Sequence, residues 1–177
     1  MSVDIPTVIG DMSFDEWFFR LMYLISLKSK DTSSKIGAII VDNNKQIVKV
    51  GYNGFAVGVN DTIESRNTRP LKYSYTCHAE ANAIFFAAKS GVKTNDCTLY
   101  TNGICCIECA KAVIQAGIKT VIYHKQFQDK WIEFYRKQWD GHTEISTTMF
   151  NESKIELIEY DKKLGITTLI DSRVVVV

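Results

Sequence analysis

The chain has 177 residues, of which 46% are hydrophobic, 23% charged and only two are proline, a composition that excludes a disordered or fibrous protein and fits one domain with its own core. Twenty-one Lys and Arg against 20 Asp and Glu leave a formal charge of +1 with no run of like charge, which argues against a nucleic-acid binder driven by phosphate neutralisation. The N-terminal residues lack a signal-peptide pattern and no segment has the apolar length of a membrane span, so a cytoplasmic protein without a membrane partner is expected, in which five cysteines stay reduced.

In chain order, Ser13 and Glu16 form a capping-box pattern, and Phe14, Trp17, Phe18, Leu21, Leu24 and Ile25 recur at helical spacing to about Lys28. Residues 36–41 and 46–51 are β-branched runs joined by DNNK, the signature of a β-hairpin. Residues 52–76 show no clear period and are punctuated by Gly54, Gly58 and Pro70, so a long functional loop is expected. HAEANAIFFAAKSG is apolar on nearly every side and ends at Gly91, which predicts a helix packed on most faces, with polar groups only at its ends.

CTLYT, then CIECAKAVIQAG, then IKTVIY read as strand, helix and strand, with the two strands parallel. Further on, Phe127, Trp131, Phe134, Tyr135 and Gln138 fall on one helical stripe, expected to be core rather than a platform for stacking bases. A shorter helix over 144–150, a strand over 154–160 and a tail forming an edge strand or a subunit contact complete the reading. The fold class is α/β, a single domain over 1–177 with a mixed sheet.

The cysteines cluster, and CIEC at 106–109 has the spacing that lets two thiolates grip one metal ion, although redox motifs share it. His78 opens the other Ala-rich helix and supplies a third ligand. Three protein ligands leave the fourth position of a tetrahedral zinc for water, whose pKa the metal lowers to about 7, which marks a catalytic rather than a structural site. Both segments lie at helix N-termini, where free N–H groups favour thiolates. Glu80, two residues after His78, is off the chelating face and placed to handle the water's proton.

H-x-E followed downstream by P-C-x-x-C is the signature of zinc-dependent nucleobase deaminases. Here Cys105 replaces the proline and sits beside Cys106; only Cys106 keeps the two-residue spacing to Cys109. Cys77 and Cys97 are read as small buried hydrophobes, and His124 and His142 are given no role.

KSKDTSSKIGAIIVD, GYNGFAVGVND, KYSYTCHAEANAI and ECAKAVIQAGIKTVIY, in this order, make the chain resemble the deoxycytidylate (dCMP) deaminases, most strongly over residues 24–123. The resemblance implies a three-layer α/β/α cytidine-deaminase-like fold. It implies zinc on His78, Cys106 and Cys109, with Glu80 shuttling protons while dCMP becomes dUMP and ammonia for thymidylate synthesis. Asn53 would contact the deoxyribose, Asn82 would serve packing or the pocket, and Ser29, Lys30 and Asp31 would meet the 5′-phosphate.

The family also implies a dimer or hexamer, activated by dCTP with Mg2+ and inhibited by dTTP near the GYNG loop, for which Tyr52, Gly54 and Gly58 are candidates. Ala56 and Cys105 stand where relatives have proline. A dual dCMP/dCTP enzyme and a deaminase of another nucleoside or heterocycle stay open as alternatives. The rival from another class is a binding module whose structural zinc takes Cys105 or Cys77 as fourth ligand.

Overall fold

A computed structural model describes residues 12–135 and 141–177. Its centre is a five-stranded mixed sheet of β1 (Gly37–Val41), β2 (Ile47–Tyr52), β5 (Thr98–Thr101), β6 (Thr120–His124) and β7 (Glu156–Tyr160), in the order β2-β1-β5-β6-β7. β1 runs antiparallel to β2 and β5, whereas β5, β6 and β7 are mutually parallel, so the hairpin and the parallel unit of the sequence reading are both present.

Strand periodicity divides the core in two. Ala38, Ile40, Leu99 and Val121 point to one face and pack with α3 (Ala79–Lys89), α4 (Ile107–Gln115) and Phe150 of α6 (His142–Glu152). Ile39, Val41, Tyr100 and Ile122 point to the other, against α1 (Phe14–Ser26) and α5 (Lys125–Tyr135). The result is a three-layer α/β/α arrangement. No helix among the described residues is long and apolar enough to cross a membrane.

Several expectations shift. Ser13 caps α1 by accepting the Glu16 N–H at 3.2 Å, but Glu16 does not complete the box, because its carboxylate binds Arg20 at 2.8 Å and Lys162 instead. The buried stripe of α1 is Phe18, Phe19, Met22, Tyr23 and Ser26, leaving Phe14, Trp17 and Leu24 exposed. The helix is apolar around most of its circumference, so spacing alone admits two stripes, and packing of Phe18 and Phe19 on Tyr100 selects one.

The segment expected to be irregular contains β3 (Gly54–Phe55), a 3-10 turn at Glu64–Asn67, α2 (Lys72–Tyr75) and β4 (Thr76–Cys77). The two-residue ladder pairs Gly54 with Cys77 and Phe55 with Thr76, tying the GYNG turn to the residue before His78. The tail is not an edge of the main sheet. It folds as a separate hairpin, β8 (Thr167–Ile170) with β9 (Arg173–Val176), and Val177 is buried and bonded through its backbone to Ile166. In the aromatic stripe Phe127 and Tyr135 are buried, and Gln138 lies outside the described residues.

One glycine places the site. A Cβ on Gly51 would lie 2.2 Å from the Ala79 carbonyl and 2.6 Å from the Ala83 nitrogen, so only glycine lets the first turn of α3 rest directly on β2.

Candidate active site

His78 and Cys106 occupy the N-cap positions of α3 and α4 with extended backbone, φ −73° and −66°, so both side chains leave the chain just ahead of a helix's free N–H groups. Cys109 follows one turn into α4. The His78 Nδ1 lies 3.3 Å from the Cys106 sulfur and 3.5 Å from that of Cys109, and the three donor atoms all fall within 4.8 Å of one another.

A tetrahedral zinc at about 2.3 Å from sulfur and about 2.0 Å from nitrogen needs S···N separations of about 3.5 Å. The donor set and its spacing therefore fit zinc.

The local electrostatics agree. A hydrogen bond from Cys109, helped by the imidazole of His78 and opposed by burial, pulls the Cys106 thiol down to about 4; sharing with Cys106 keeps Cys109 protonated. The bond to Cys106 raises His78 to about 9 against the opposing effect of burial. These are three groups arranged to trade protons for a cation.

Cys105 differs from its neighbour. It is 1% exposed, packed in the core of the α3–α4 face, and burial holds its thiol well above the ordinary range. It does not belong to the metal-binding group, which among the described residues comprises His78, Cys106 and Cys109. Cys97 is buried as expected, whereas Cys77 is only half-buried on β4, and all five thiols are free.

Glu80, in the first turn of α3 and 6% exposed, accepts a hydrogen bond from the Thr101 hydroxyl at 3.2 Å through Oε1, and its Oε2 lies 3.6 Å from the Cys109 sulfur. Burial raises its pKa, with His78 pulling the other way. The carboxyl thus sits at the metal-binding group without being part of it.

A pocket opens over this floor, and its lining reaches from His78, Glu80 and Cys106 past Asn53 to Arg69, Lys72 and Tyr135. Asn53 is held by three contacts: Oδ1 accepts the Ile36 N–H at 3.0 Å, and Nδ2 donates to the Ser34 carbonyl at 3.0 Å and to Asp31 at 3.4 Å. Asn82 donates to the Tyr52 carbonyl at 2.8 Å, fastening α3 to the GYNG turn and not to the pocket.

Of the Ser-Lys-Asp segment, only Asp31 lines this pocket, where it binds Lys72. Ser29 is buried and accepts the Asp31 N–H, while Lys30 pairs with Asp61 at 2.7 Å. Tyr52 and Gly54 line a second pocket with Lys28, Lys30 and Asp61; Gly58, at φ +87°, has open space around it.

Thr101, Arg69, Lys72, Gln128, Trp131 and Tyr135 are site residues that the sequence reading did not name for chemistry. A signal existed for the last two, whose i, i+4 spacing with Phe127 puts them on one face of α5; Arg69 and Lys72 lie in the stretch with no period.

His124 is a structural residue. It is fully buried, takes a hydrogen bond from the Tyr23 hydroxyl at 2.7 Å on Nδ1 and donates from Nε2 to the Lys162 carbonyl at 2.8 Å.

Residues 12–125 match the family described as the cytidine and deoxycytidylate deaminase zinc-binding region. The deoxycytidylate deaminase of Mus musculus is 41% identical over 117 residues, covering 63% of this chain and 65% of that protein, so this chain's match spans less than two thirds of the mammalian relative's length. The deoxycytidylate deaminase of Enterobacteria phage T4 is 31% identical over 81% of this chain and 88% of its own. Among solved structures, dCMP deaminase from the cyanophage S-TIM5, in complex with dCMP and dUMP, superposes with a TM-score of 0.62 at 25% identity, covering 85% of this chain and all of that one.

Proposed function

Since the chain belongs to the cytidine and deoxycytidylate deaminase zinc-binding family, we propose that it hydrolyses dCMP to dUMP and ammonia, supplying dUMP for thymidylate synthesis. The observation that carries this reading is the convergence of His78, Cys106 and Cys109 beside a buried Glu80 at the floor of one pocket. The complex of the cyanophage relative with dCMP and dUMP supports the choice of substrate.

His78, Cys106 and Cys109 would hold zinc, which would supply Lewis acidity and a nucleophile at neutral pH. Glu80 does the proton work. It takes a proton from the attacking water and hands it to N3 of the pyrimidine as the C4–O bond forms. It then carries the remaining hydroxyl proton to the exocyclic amino group, so that the C4–N bond breaks, ammonia leaves and Glu80 returns to its starting charge. Thr101 orients the carboxylate for both transfers. Asn53, pinned on three sides, keeps a lone pair of Oδ1 for a deoxyribose hydroxyl.

Asp31 acts through Lys72 and Asn53 and meets no anion, while Ser29 shapes the turn that carries it. Asn82 positions the GYNG turn relative to α3. The structural-zinc alternative is disfavoured because neither Cys105 nor Cys77 joins the donor group of His78, Cys106 and Cys109. The second pocket, with Tyr52, Gly54, Lys28 and Lys30, is the place for dCTP with Mg2+ as activator and dTTP as inhibitor, in a homo-oligomeric enzyme of the reducing cytoplasm.

Loss of cytosine absorbance on mixing zinc-loaded protein with dCMP, dCTP, deoxycytidine or CMP, each with and without the effectors, tests this. Rapid loss with dCMP that responds to the effectors is expected. Equal rates on dCTP would replace it with a dual-substrate enzyme, and silence on all four would remove the deaminase reading.

A further inference from the structure

The pocket lined by His78, Glu80 and Cys106 is also lined by a second polar cluster. Among the described lining residues the permanently charged cations are Arg69 and Lys72, and they are not equivalent. Lys72 donates to both carboxylate oxygens of Asp31, at 3.0 and 2.9 Å, and both side chains are about nine-tenths buried. Drawing Lys72 away would strand a buried carboxylate, so this ammonium is committed.

Arg69 is held differently. A single nitrogen, Nη2, donates to the Ser33 hydroxyl at 2.8 Å, the Tyr135 hydroxyl at 2.8 Å and one oxygen of Asp171 at 2.9 Å. The guanidinium carbon lies 5.6 Å from the centre of the Tyr135 ring, and the side chain is 41% exposed. Nε and Nη1 take no part in these bonds. A guanidinium fixed by one corner, with the rest of its planar fork accessible, suits two oxygens of a phosphate monoester.

The distance is right for a nucleotide. Near its start α5 meets the loop that leads to the metal ligands, where Gln128 accepts the Ile104 N–H at 2.9 Å; at its end Tyr135 bonds Arg69. Seven residues of helix rise roughly 10 Å. That is the order of the span from pyrimidine C4 to a 5′-phosphate. Along the way Phe127, Trp131 and Tyr135 stack in sequence, with ring centres 5.8 and 4.4 Å apart, and line the pocket.

The geometry points to Arg69 as the anchor of the substrate's 5′-phosphate, with Asp171 as the carboxylate that occupies it when no nucleotide is bound, so that the pocket selects a nucleotide over its nucleoside. This deepens the deamination reading and rests on it. Asp171 belongs to the turn between β8 and β9, which gives the C-terminal hairpin a part in recognition.

The test compares kcat/KM for dCMP and deoxycytidine in the zinc-loaded protein and in its Arg69→Ala and Asp171→Asn variants, with calorimetric binding of dUMP and deoxyuridine as a readout without turnover. The unaltered protein prefers dCMP, and Arg69→Ala lowers the dCMP-to-deoxycytidine ratio by about 30-fold or more, chiefly through KM, as loss of charge-assisted hydrogen bonds requires. Asp171→Asn removes a competing negative charge, so the ratio holds or rises and dUMP binds more tightly.

Equal losses on both substrates in Arg69→Ala, or an Asp171→Asn variant as damaged as Arg69→Ala, would reduce Arg69 to a pin for the hairpin. Equal turnover of dCMP and deoxycytidine by the unaltered protein would overturn the anchor while leaving deamination intact. Turnover of neither would overturn both.

Discussion

At the floor of the pocket, every group is fixed by backbone: His78 and Cys106 are helix N-caps, Cys109 is one turn further on, and Thr101 ends a central strand. At the mouth, Arg69, Lys72, Tyr135 and Asp171 come from a loop, a four-residue helix, the end of α5 and a hairpin turn, and are held by side-chain hydrogen bonds, Arg69 to Tyr135 and Asp171 and Lys72 to Asp31. Precision is concentrated at the floor. Chemistry on C4 requires proton transfers over hydrogen-bond distances, whereas recognition of an anion tolerates a cluster that rearranges when the anion arrives.

Substitutions at the floor should therefore strike turnover or folding, and those at the mouth selectivity. The largest effect is expected from Glu80→Gln, which removes the proposed proton carrier and leaves His78, Cys106 and Cys109 untouched. Turnover should fall by about 10^3-fold while zinc stays at one per chain by atomic absorption. A variant with near-normal rates would place the proton work elsewhere.

Gly51→Ala attacks the support beneath the floor. The new methyl group meets the backbone of Ala79 and Ala83, and neither can yield without moving the first turn of α3. Denaturant unfolding should show a loss of about 2–3 kcal/mol, accompanied by weaker retention of zinc against a chelator. A variant as stable as the parent would mean that α3 does not rest on β2 as closely as described.

Thr101→Val keeps volume and deletes one hydrogen bond to Glu80. Because Thr101 bonds the carboxylate but does not line the pocket, kcat should drop about tenfold with KM little changed. A rise in KM alone would assign Thr101 to binding.

The smallest effect is expected at His124, which does not line the pocket. Burial holds the pKa of His124 below its ordinary value, opposed by the bond to the Lys162 carbonyl. The unfolded chain therefore accepts a proton that the folded one refuses, and the stability this neutral histidine contributes is present above its unfolded pKa and lost as pH falls below it. Unfolding midpoints measured from pH 7.5 to 5 should decline with a component that His124→Gln flattens. An unchanged slope in the variant would show that other groups carry the acid sensitivity.

The same contrast explains what could be read from the sequence. The floor was legible because its residues lie close along the chain in fixed relation to two helix starts: H-x-E and C-x-x-C are short-range patterns with one geometric meaning. The alternating strands and the parallel unit were legible for a related reason, since period two assigns each residue of β1, β5 and β6 to a face.

The mouth was not legible, because nothing local links Arg69 to Tyr135, 66 positions away, or to Asp171, 102 positions away. The aromatic stripe of α5 reads as core, and Phe127 and Tyr135 are buried, but spacing could not tell that the face bearing Phe127, Trp131 and Tyr135 also walls a pocket. For α1, composition permitted two stripes, and only contact with Tyr100 and His124 decides between them.

In the proposed enzyme zinc is held by three protein ligands, with its fourth position open to water and substrate. X-ray absorption at the zinc edge of the holoprotein, without nucleotide, reads that shell. Two sulfur neighbours, one imidazole nitrogen and one further light atom are the expected shell. Three sulfurs, with Cys105 or Cys77 drawn in, would close the site and contradict a catalytic role.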